Sequence, residues 1–326
     1  MAKPRLLLTH SLFEPAIALL APHFEMDVWR ESFGIPREEL FRRIADKDAL
    51  ICLLSDKVNE ELLGHAPKLR IAATVSVGYD NLDVPACTRH GVAATNTPGV
   101  LDDTTADFAW TLLMAVARRL IEGETWIRSG QWPGWDLAQL CGTDIWGKTL
   151  GIWGFGRIGR EVARRSLGFK MRVIYHSNRR APEDVERELH AEYVERDRLI
   201  AESDFLSLHV PLTADTRHMI SAEVLRRMKR TAFLINTTRG PVVDEAALAA
   251  ALAAGEIAGA GLDVFEREPI VNPALIPLKN VVLAPHMGSA SLETRTKMAV
   301  MAAGNCVALF QGERPPNVLN PEAVKI

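Results

Sequence analysis

Residues Thr149-Leu150-Gly151-Ile152-Trp153-Gly154-Phe155-Gly156-Arg157-Ile158-Gly159 open the stretch that decides the fold. An apolar strand, Leu150 to Trp153, runs into Gly154-x-Gly156-x-x-Gly159. A helix-patterned run follows, and a second apolar strand spans Arg172 to Tyr175. Strand, glycine loop, helix and strand at these distances make a dinucleotide-binding βαβ unit. Gly154 permits the tight turn. Gly156 lets the backbone approach a pyrophosphate at the helix N-terminus, and Gly159 lets the helix pack closely on the strand.

The segment after the second strand bears on which dinucleotide fits. An NAD site usually places Asp or Glu there, to accept hydrogen bonds from ribose hydroxyls. This chain has Ser177, Asn178, Arg179 and Arg180 and no acid. A carboxylate would repel a 2′-phosphate, whereas two guanidinium groups attract it, and Ser177 and Asn178 can donate further bonds. The segment predicts a preference for NADP(H), with NAD(H) as the alternative cofactor.

Outward from this unit, strand and helix patterns alternate in both directions. Before residue 100, Arg5 to Thr9, Glu25 to Trp29, Ala49 to Leu54, Leu69 to Val75 and Val92 to Thr95 read as buried strands with helices between them. Pro36 suits a first helical turn, and Gly91 suits a helix stop. A long helix, about Asp103 to Ser129, follows, with Asp102 or Asp103 as its cap. Beyond Gly147, six strands with interleaved helices make a full Rossmann count. They are Leu150 to Trp153, Arg172 to Tyr175, Phe205 to His209, Ala232 to Asn236, Gly259 to Val264 and Val281 to Ala284. A last helix, about Leu292 to Gln311, precedes a proline-containing tail that can return to the first domain. The fold class is therefore α/β, with two doubly wound parallel-sheet domains and a cleft between them. Residues 1–101 and 288–326 form a flavodoxin-like substrate domain, and 102–287 a Rossmann cofactor domain.

Composition narrows the function classes. The 326 residues suffice for two domains, and 48% apolar and 24% charged residues are ordinary for a soluble globular chain. A net charge of −3 gives no sign of a nucleic-acid partner. Cys52, Cys87, Cys141 and Cys306 form no CxxC or Cys/His cluster, which speaks against a metal site or disulfide framework and for a reducing cytoplasm. The opening residues hold too short an apolar run for a signal peptide, and Phe108 to Ala117 is about half of a membrane span.

Ligands of doubly wound sheets bind beyond the C-terminal ends of strands. Four polar residues fall there in the second domain: Arg239, Asp263, Glu268 and His286. Reduction of a 2-oxo acid needs a hydride, a proton and a clamp for the carboxylate. His286 can give the proton, Glu268 can orient its ring and favour the protonated form, and Arg239 can hold the carboxylate and polarise the carbonyl. In the first domain, Ser76-Val77-Gly78-Tyr79-Asp80 follows a strand, and such a turn can offer backbone N–H groups to a carboxylate. Each residue taken alone also has a plain structural explanation.

Further stretches complete a pattern: Leu53-Leu54-Ser55-Asp56, Thr97-Pro98-Gly99-Val100-Leu101, His209-Val210-Pro211-Leu212-Thr213, Asn236-Thr237-Thr238-Arg239-Gly240, Gly261-Leu262-Asp263-Val264-Phe265, Glu268-Pro269 and Pro285-His286-Met287-Gly288-Ser289. With the Gly154 loop and Ser76 to Asp80, they resemble the D-isomer-specific 2-hydroxyacid dehydrogenases over essentially the whole chain, most closely the glyoxylate/hydroxypyruvate reductases. The resemblance implies NADPH-dependent reduction of small 2-oxo acids, glyoxylate to glycolate and hydroxypyruvate to D-glycerate. Arg239, Val77, Gly78 and Leu54 would bind substrate, with Glu268 and His286 as the acid–base pair. Arg157 and Ile158 would meet the pyrophosphate, and Pro211 and Thr216 the adenosine side. Thr104, Thr237, Thr238 and Asp263 would lie at the nicotinamide end, and His209 and Gly288 would also bind the cofactor. It also implies closure of the cleft and a homodimer through the cofactor domain. One departure stands out: where the mammalian enzymes carry a Trp before Leu-Cys-Gly, this chain has Gln139 before Leu140, with Trp132 and Trp135 slightly earlier. Other substrates (D-lactate, phosphoglycerate, phosphite, formate) and a dinucleotide-sensing corepressor remain as alternatives.

Overall fold

The computed structural model describes residues 2–31 and 33–324, which divide into two compact units, 1–101 with 290–326, and 102–289. The first unit opens with β1 (Arg5–Leu8), α1 (Glu14–Leu20), β2 (Glu25–Val28), α2 (Arg37–Ile44), β3 (Ala49–Cys52), α3 (Glu60–Gly64), β4 (Ile71–Thr74), α4 (Val84–Arg89) and β5 (Ala93–Thr95). Its five parallel strands lie in the order β2-β1-β3-β4-β5, the flavodoxin-like order. The central strands β3, β4 and β5 are buried along their whole length, which is why their sequences are unbroken apolar runs rather than alternating ones. Gly91 takes φ +68° just after α4, where a residue with a β-carbon would be strained. Pro36 serves as the N-cap of α2 rather than as a residue of its first turn.

The second unit contains α5 (Asp102–Ala117), α6 (Leu120–Arg128), β6 (Thr149–Trp153), α7 (Arg157–Ser166), β7 (Arg172–His176), α8 (Glu183–Leu189), β8 (Ala191–Tyr193), α9 (Arg196–Glu202), β9 (Phe205–Leu208), α10 (Ala222–Arg227), β10 (Phe233–Asn236), α11 (Glu245–Ala254), β11 (Gly259–Leu262) and β12 (Val281–Leu283). Seven parallel strands run in the order β12-β11-β10-β9-β6-β7-β8. The chain order reverses between β6 and β9, and there a doubly wound sheet opens a ligand crevice. Two apolar cores cover the two faces, one including α5 through Ala109, Trp110, Leu112 and Leu113, the other including α10 and α11.

The chain then returns to the first unit as α12 (Leu292–Phe310), whose Ala302, Ala303 and Cys306 pack on its sheet. The tail closes that unit: Asn320 Oδ1 accepts from Ala94 N–H at 2.8 Å, and Val318 bridges to Thr95.

Three expectations are corrected. The long helix breaks at Arg119, which adopts φ +52°. Continuation would require the Ala117 carbonyl for a helical bond, but Thr143 N–H takes it at 2.8 Å. Asp102 and Asp103 both lie inside the first turn of α5 rather than before it. The sheet has seven strands rather than six, because α8 and the edge strand β8 are also present. All four cysteines are free, and no described helix is long and apolar enough to cross a membrane.

Candidate active site

The glycine loop is shaped by contacts that leave no room for side chains. Gly154 has φ +97°, and a β-carbon there would stand 2.4 Å from the His209 carbonyl oxygen. A β-carbon on Gly159 would stand 2.2 Å from the Gly154 oxygen, so α7 sits directly on the loop. Gly156 is different: a β-carbon there would meet nothing within 4 Å. It caps α7 in extended conformation with no side-chain bond to the first-turn amides. Those N–H groups, next to exposed Arg157 and half-buried Ile158, fit the pyrophosphate of a dinucleotide. That crevice suits the cofactor on geometry alone.

Beyond β7, Ser177 is half-buried and Asn178, Arg179 and Arg180 are exposed. Arg180 is already engaged. Its guanidinium donates to both carboxylate oxygens of Glu186 at 2.9 and 2.8 Å, and that carboxylate also accepts from the buried Tyr175 hydroxyl at 2.5 Å. The Arg180 bonds hold the Glu186 carboxyl below its ordinary value. Arg179 has no ion pair among the described residues.

His209, after β9, is tied through its ring Nε2 to Ser207 Oγ at 2.8 Å, and burial pushes the imidazole down to about 3. It stays neutral at physiological pH, and its carbonyl packs on Gly154. Pro211 and Thr216 form one local turn, with Thr216 Oγ1 donating to the Pro211 carbonyl at 2.7 Å.

The turn after β10 is organised by Asn236. Its Oδ1 accepts from Thr238 N–H at 3.0 Å and its Nδ2 donates to the Arg239 carbonyl at 3.1 Å. Arg239 Nη1 donates to the Thr238 carbonyl at 2.9 Å. The buried Thr237 Oγ1 has no hydrogen-bond partner among the described residues. Gly240 follows at a point of extreme closeness, where a β-carbon would lie 1.8 Å from the Phe265 carbonyl carbon and 2.3 Å from Glu266 N. The Arg239 turn and the loop that carries Glu268 thus touch backbone to backbone.

Glu268 and His286 come together. His286 Nδ1 and Glu268 Oε2 are 2.8 Å apart, while Glu268 Oε1 accepts from Phe265 N–H at 3.0 Å. Burial raises the Glu268 carboxyl, but the hydrogen bond and charge of His286, helped by the charge of Arg239, lower it by more. The loop is fixed from behind as well: Glu245 N–H donates to Glu266 Oε1 at 2.9 Å, and Glu266 N–H donates back to the Glu245 carboxylate.

Asp263 has a structural role that the sequence did not show. Expected near the nicotinamide, it is only 1% exposed and anchors the His286 turn. Its carboxylate accepts from Met287 and Gly288 N–H, each at 2.7 Å, and its carbonyl accepts from His286 N–H at 2.8 Å. These bonds hold His286 at φ +52°. Burial raises the Asp263 carboxyl to about 6 despite the two amides. Thr104 lies in the first turn of α5, and the neighbouring Thr105 is the one near Gly288, at 3.6 Å from a β-carbon built there. Gly240, Glu245 and Glu266 escaped the sequence reading, although a glycine directly after Arg239 signals close backbone approach.

In the first unit, Val77 and Gly78 lie in the loop after β4, and Leu54 is 40% exposed after β3. No group of metal-ligating side chains is present among the described residues.

A parallel sheet with a glycine-loop crevice, beside an imidazole–carboxylate pair and an arginine, defines a dinucleotide-dependent oxidoreductase of the Rossmann class. Comparison with known proteins gives the family. The profile of the D-isomer specific 2-hydroxyacid dehydrogenase NAD binding domain matches residues 110–288. The chain is 52% identical to a glyoxylate reductase of Korarchaeum cryptofilum, covering 99% of this chain and 98% of that one. It is also 52% identical to a glyoxylate reductase of Thermococcus kodakarensis over the same shares. Among solved structures, TT0316 protein of Thermus thermophilus superposes with TM-score 0.91 at 41% identity, covering 97% of this chain and 99% of the other. An NADPH-dependent glyoxylate/hydroxypyruvate reductase of Sinorhizobium meliloti, in complex with NADP and malonate, gives 0.86 at 33% identity, covering 100% and 99%. The chain belongs to the D-isomer-specific 2-hydroxyacid dehydrogenase family. It is an NAD(P)-dependent oxidoreductase acting on small acids.

Proposed function

We propose that this protein reduces glyoxylate and hydroxypyruvate with NADPH, and that His286 is the proton donor. The observation that carries the reading is the 2.8 Å pairing of His286 Nδ1 with Glu268, beside the Arg239 charge. With Nδ1 taken, Nε2 is the nitrogen left to face substrate. Reduced nicotinamide, when bound, would supply the hydride. Nε2–H passes its proton to the carbonyl oxygen of the 2-oxo acid as that oxygen gains charge. Glu268 stabilises the imidazolium before transfer and keeps the ring oriented. Arg239 holds the substrate carboxylate and polarises the carbonyl. Val77 and Gly78 donate their N–H groups to that carboxylate, with Leu54 lining the same subsite. In this reading the smaller unit binds substrate and the larger binds cofactor. Thr104, Thr237, Thr238 and Asp263 border the nicotinamide, Pro211 and Thr216 the adenosine, and His209 and Gly288 also line the cofactor. The relatives named as glyoxylate reductases support the substrate.

Arg179 favours the 2′-phosphate, and the engagement of Arg180 by Glu186 favours a second reading in which NADH is also used. A homodimer through the larger unit is supported by α6, which buries none of its residues, and by the apolar stretch that follows, where Trp135 is 79% and Leu137 83% exposed. The free thiols suit a reducing cytoplasm. The decisive assay follows NADPH and NADH oxidation with glyoxylate, hydroxypyruvate and pyruvate. We expect fastest turnover with NADPH and one of the first two acids. Equal kcat/KM for NADPH and NADH would overturn the cofactor preference, and pyruvate as the best substrate would overturn the substrate assignment.

A further inference from the structure

The loop after β4 has an unusual arrangement of hydrogen bonds. Three consecutive carbonyls are each held by a donor from within the first unit. The Ser76 carbonyl accepts from Thr97 N–H at 2.9 Å, the Val77 carbonyl from Asn96 Nδ2 at 2.8 Å, and the Gly78 carbonyl from Ser76 Oγ at 2.7 Å. The N–H groups of Val77 and Gly78, by contrast, have no hydrogen-bond partner among the described residues.

In a planar trans peptide, the C=O and the next N–H point in opposite directions. Whatever grips the Ser76 carbonyl therefore aims the Val77 N–H, and whatever grips the Val77 carbonyl aims the Gly78 N–H. The first grip is a backbone amide, and no substitution other than proline can remove it. The second is the Asn96 side chain. Asn96 is only 7% exposed and is itself held: its carbonyl accepts from Asn305 Nδ2 at 3.3 Å, and Asn305 Oδ1 accepts from Asn317 N–H at 3.3 Å. Asn305 sits on α12, 1% exposed. The Ser76 grip is also directional. Ser76 spends its hydroxyl proton on Gly78, so the 2.9 Å bond with Thr74 must be donated by Thr74 Oγ1, which in turn accepts from Asn81 Nδ2 at 3.3 Å.

We propose that Asn96 is a positioning residue for substrate: held by Asn305, its amide grips the Val77 carbonyl and so aims the Gly78 N–H at the carboxylate of the 2-oxo acid. The inference rests on the reading that this loop binds that carboxylate. Asn96 touches no reacting atom. Its loss lets the peptide plane between Val77 and Gly78 rotate, and binding suffers before chemistry does.

The test is Asn96→Leu, which keeps the side-chain volume and removes the donor, compared with Asn96→Gln, which keeps an amide. KM for glyoxylate in Asn96→Leu should rise about tenfold, about what one lost buried hydrogen bond produces. kcat should fall less than threefold, and the Kd of NADPH, read by fluorescence, should stay unchanged. Asn96→Gln should recover part of the KM. If Asn96→Leu does not fold, Asn96→Ala, which removes the same donor to the Val77 carbonyl, is the substitute, with the same expected rise. A KM within twofold of the parent, or losses shared equally by kcat and the NADPH Kd, overturns the proposal. Gly78→Pro, which deletes the N–H itself, separates the two levels. A raised KM in Gly78→Pro with none in Asn96→Leu refutes the asparagine relay alone, whereas no change in either also refutes the carboxylate-binding loop.

Discussion

The strand ends of the larger unit and the loop after β4 in the smaller one expose two different kinds of group. The larger unit presents side chains: an imidazole paired with a carboxylate, and a guanidinium nearby. The smaller presents the main-chain N–H groups of Val77 and Gly78, aimed by the donors that hold the Ser76 and Val77 carbonyls. The contrast teaches where function is vulnerable. A side-chain site is lost with its atom. A main-chain site keeps its atoms under almost any substitution and is lost only through the residues that aim it.

The largest effect that can break this contrast is at His286. Replacement by Ala should lower kcat for 2-oxo acid reduction by roughly two to four orders of magnitude while the protein remains folded. A loss of less than tenfold would mean that the larger unit does not supply the proton. Next comes Glu268. Its carboxyl lies below the ordinary value, so it is ionised above the usual carboxylate range. The stabilisation from its pairing is present there and fades as pH falls through the lowered value. Glu268→Gln removes the anion that orients the imidazole, and kcat should fall about tenfold. An unchanged kcat would separate Glu268 from the proton transfer. The smallest effect tests the contrast at the cofactor loop, where two like side chains differ only in their partners. Arg179→Ala should raise the Kd of NADPH about fivefold and Arg180→Ala about twofold, with NADH binding unaffected. Equal losses would show that Glu186 leaves Arg180 as available as Arg179.

Much of this was legible in the chain. The glycine loop and the strand-end residues announce themselves because their chemistry is a matter of residue type. The break at Arg119 was hidden, because the group that stops α5 is the N–H of Thr143, distant in sequence. The stretch Glu183–Leu189 was passed over because it is almost entirely charged, and β8 because an edge strand of three residues carries little pattern. The resemblance puts Asp263 beside the nicotinamide; the two backbone amides on its carboxylate, which tie down the His286 turn, have no counterpart in the sequence pattern. The loop after β4 advertised only Gly78. The donors that shape it lie on Asn96, Thr97 and the hydroxyl of Ser76, and their relevance depends on peptide orientation, which no spacing rule encodes.

Gly240 carries a mechanical consequence. With no space for even one carbon atom between it and the backbone of Phe265 and Glu266, the arginine turn and the glutamate loop form a single block. Thermal motion that displaces one must carry the other, so the backbone positions from which Arg239 and Glu268 project keep their spacing while the surroundings breathe. Rigidity here is local and inexpensive: it comes from a missing side chain rather than from an added bond.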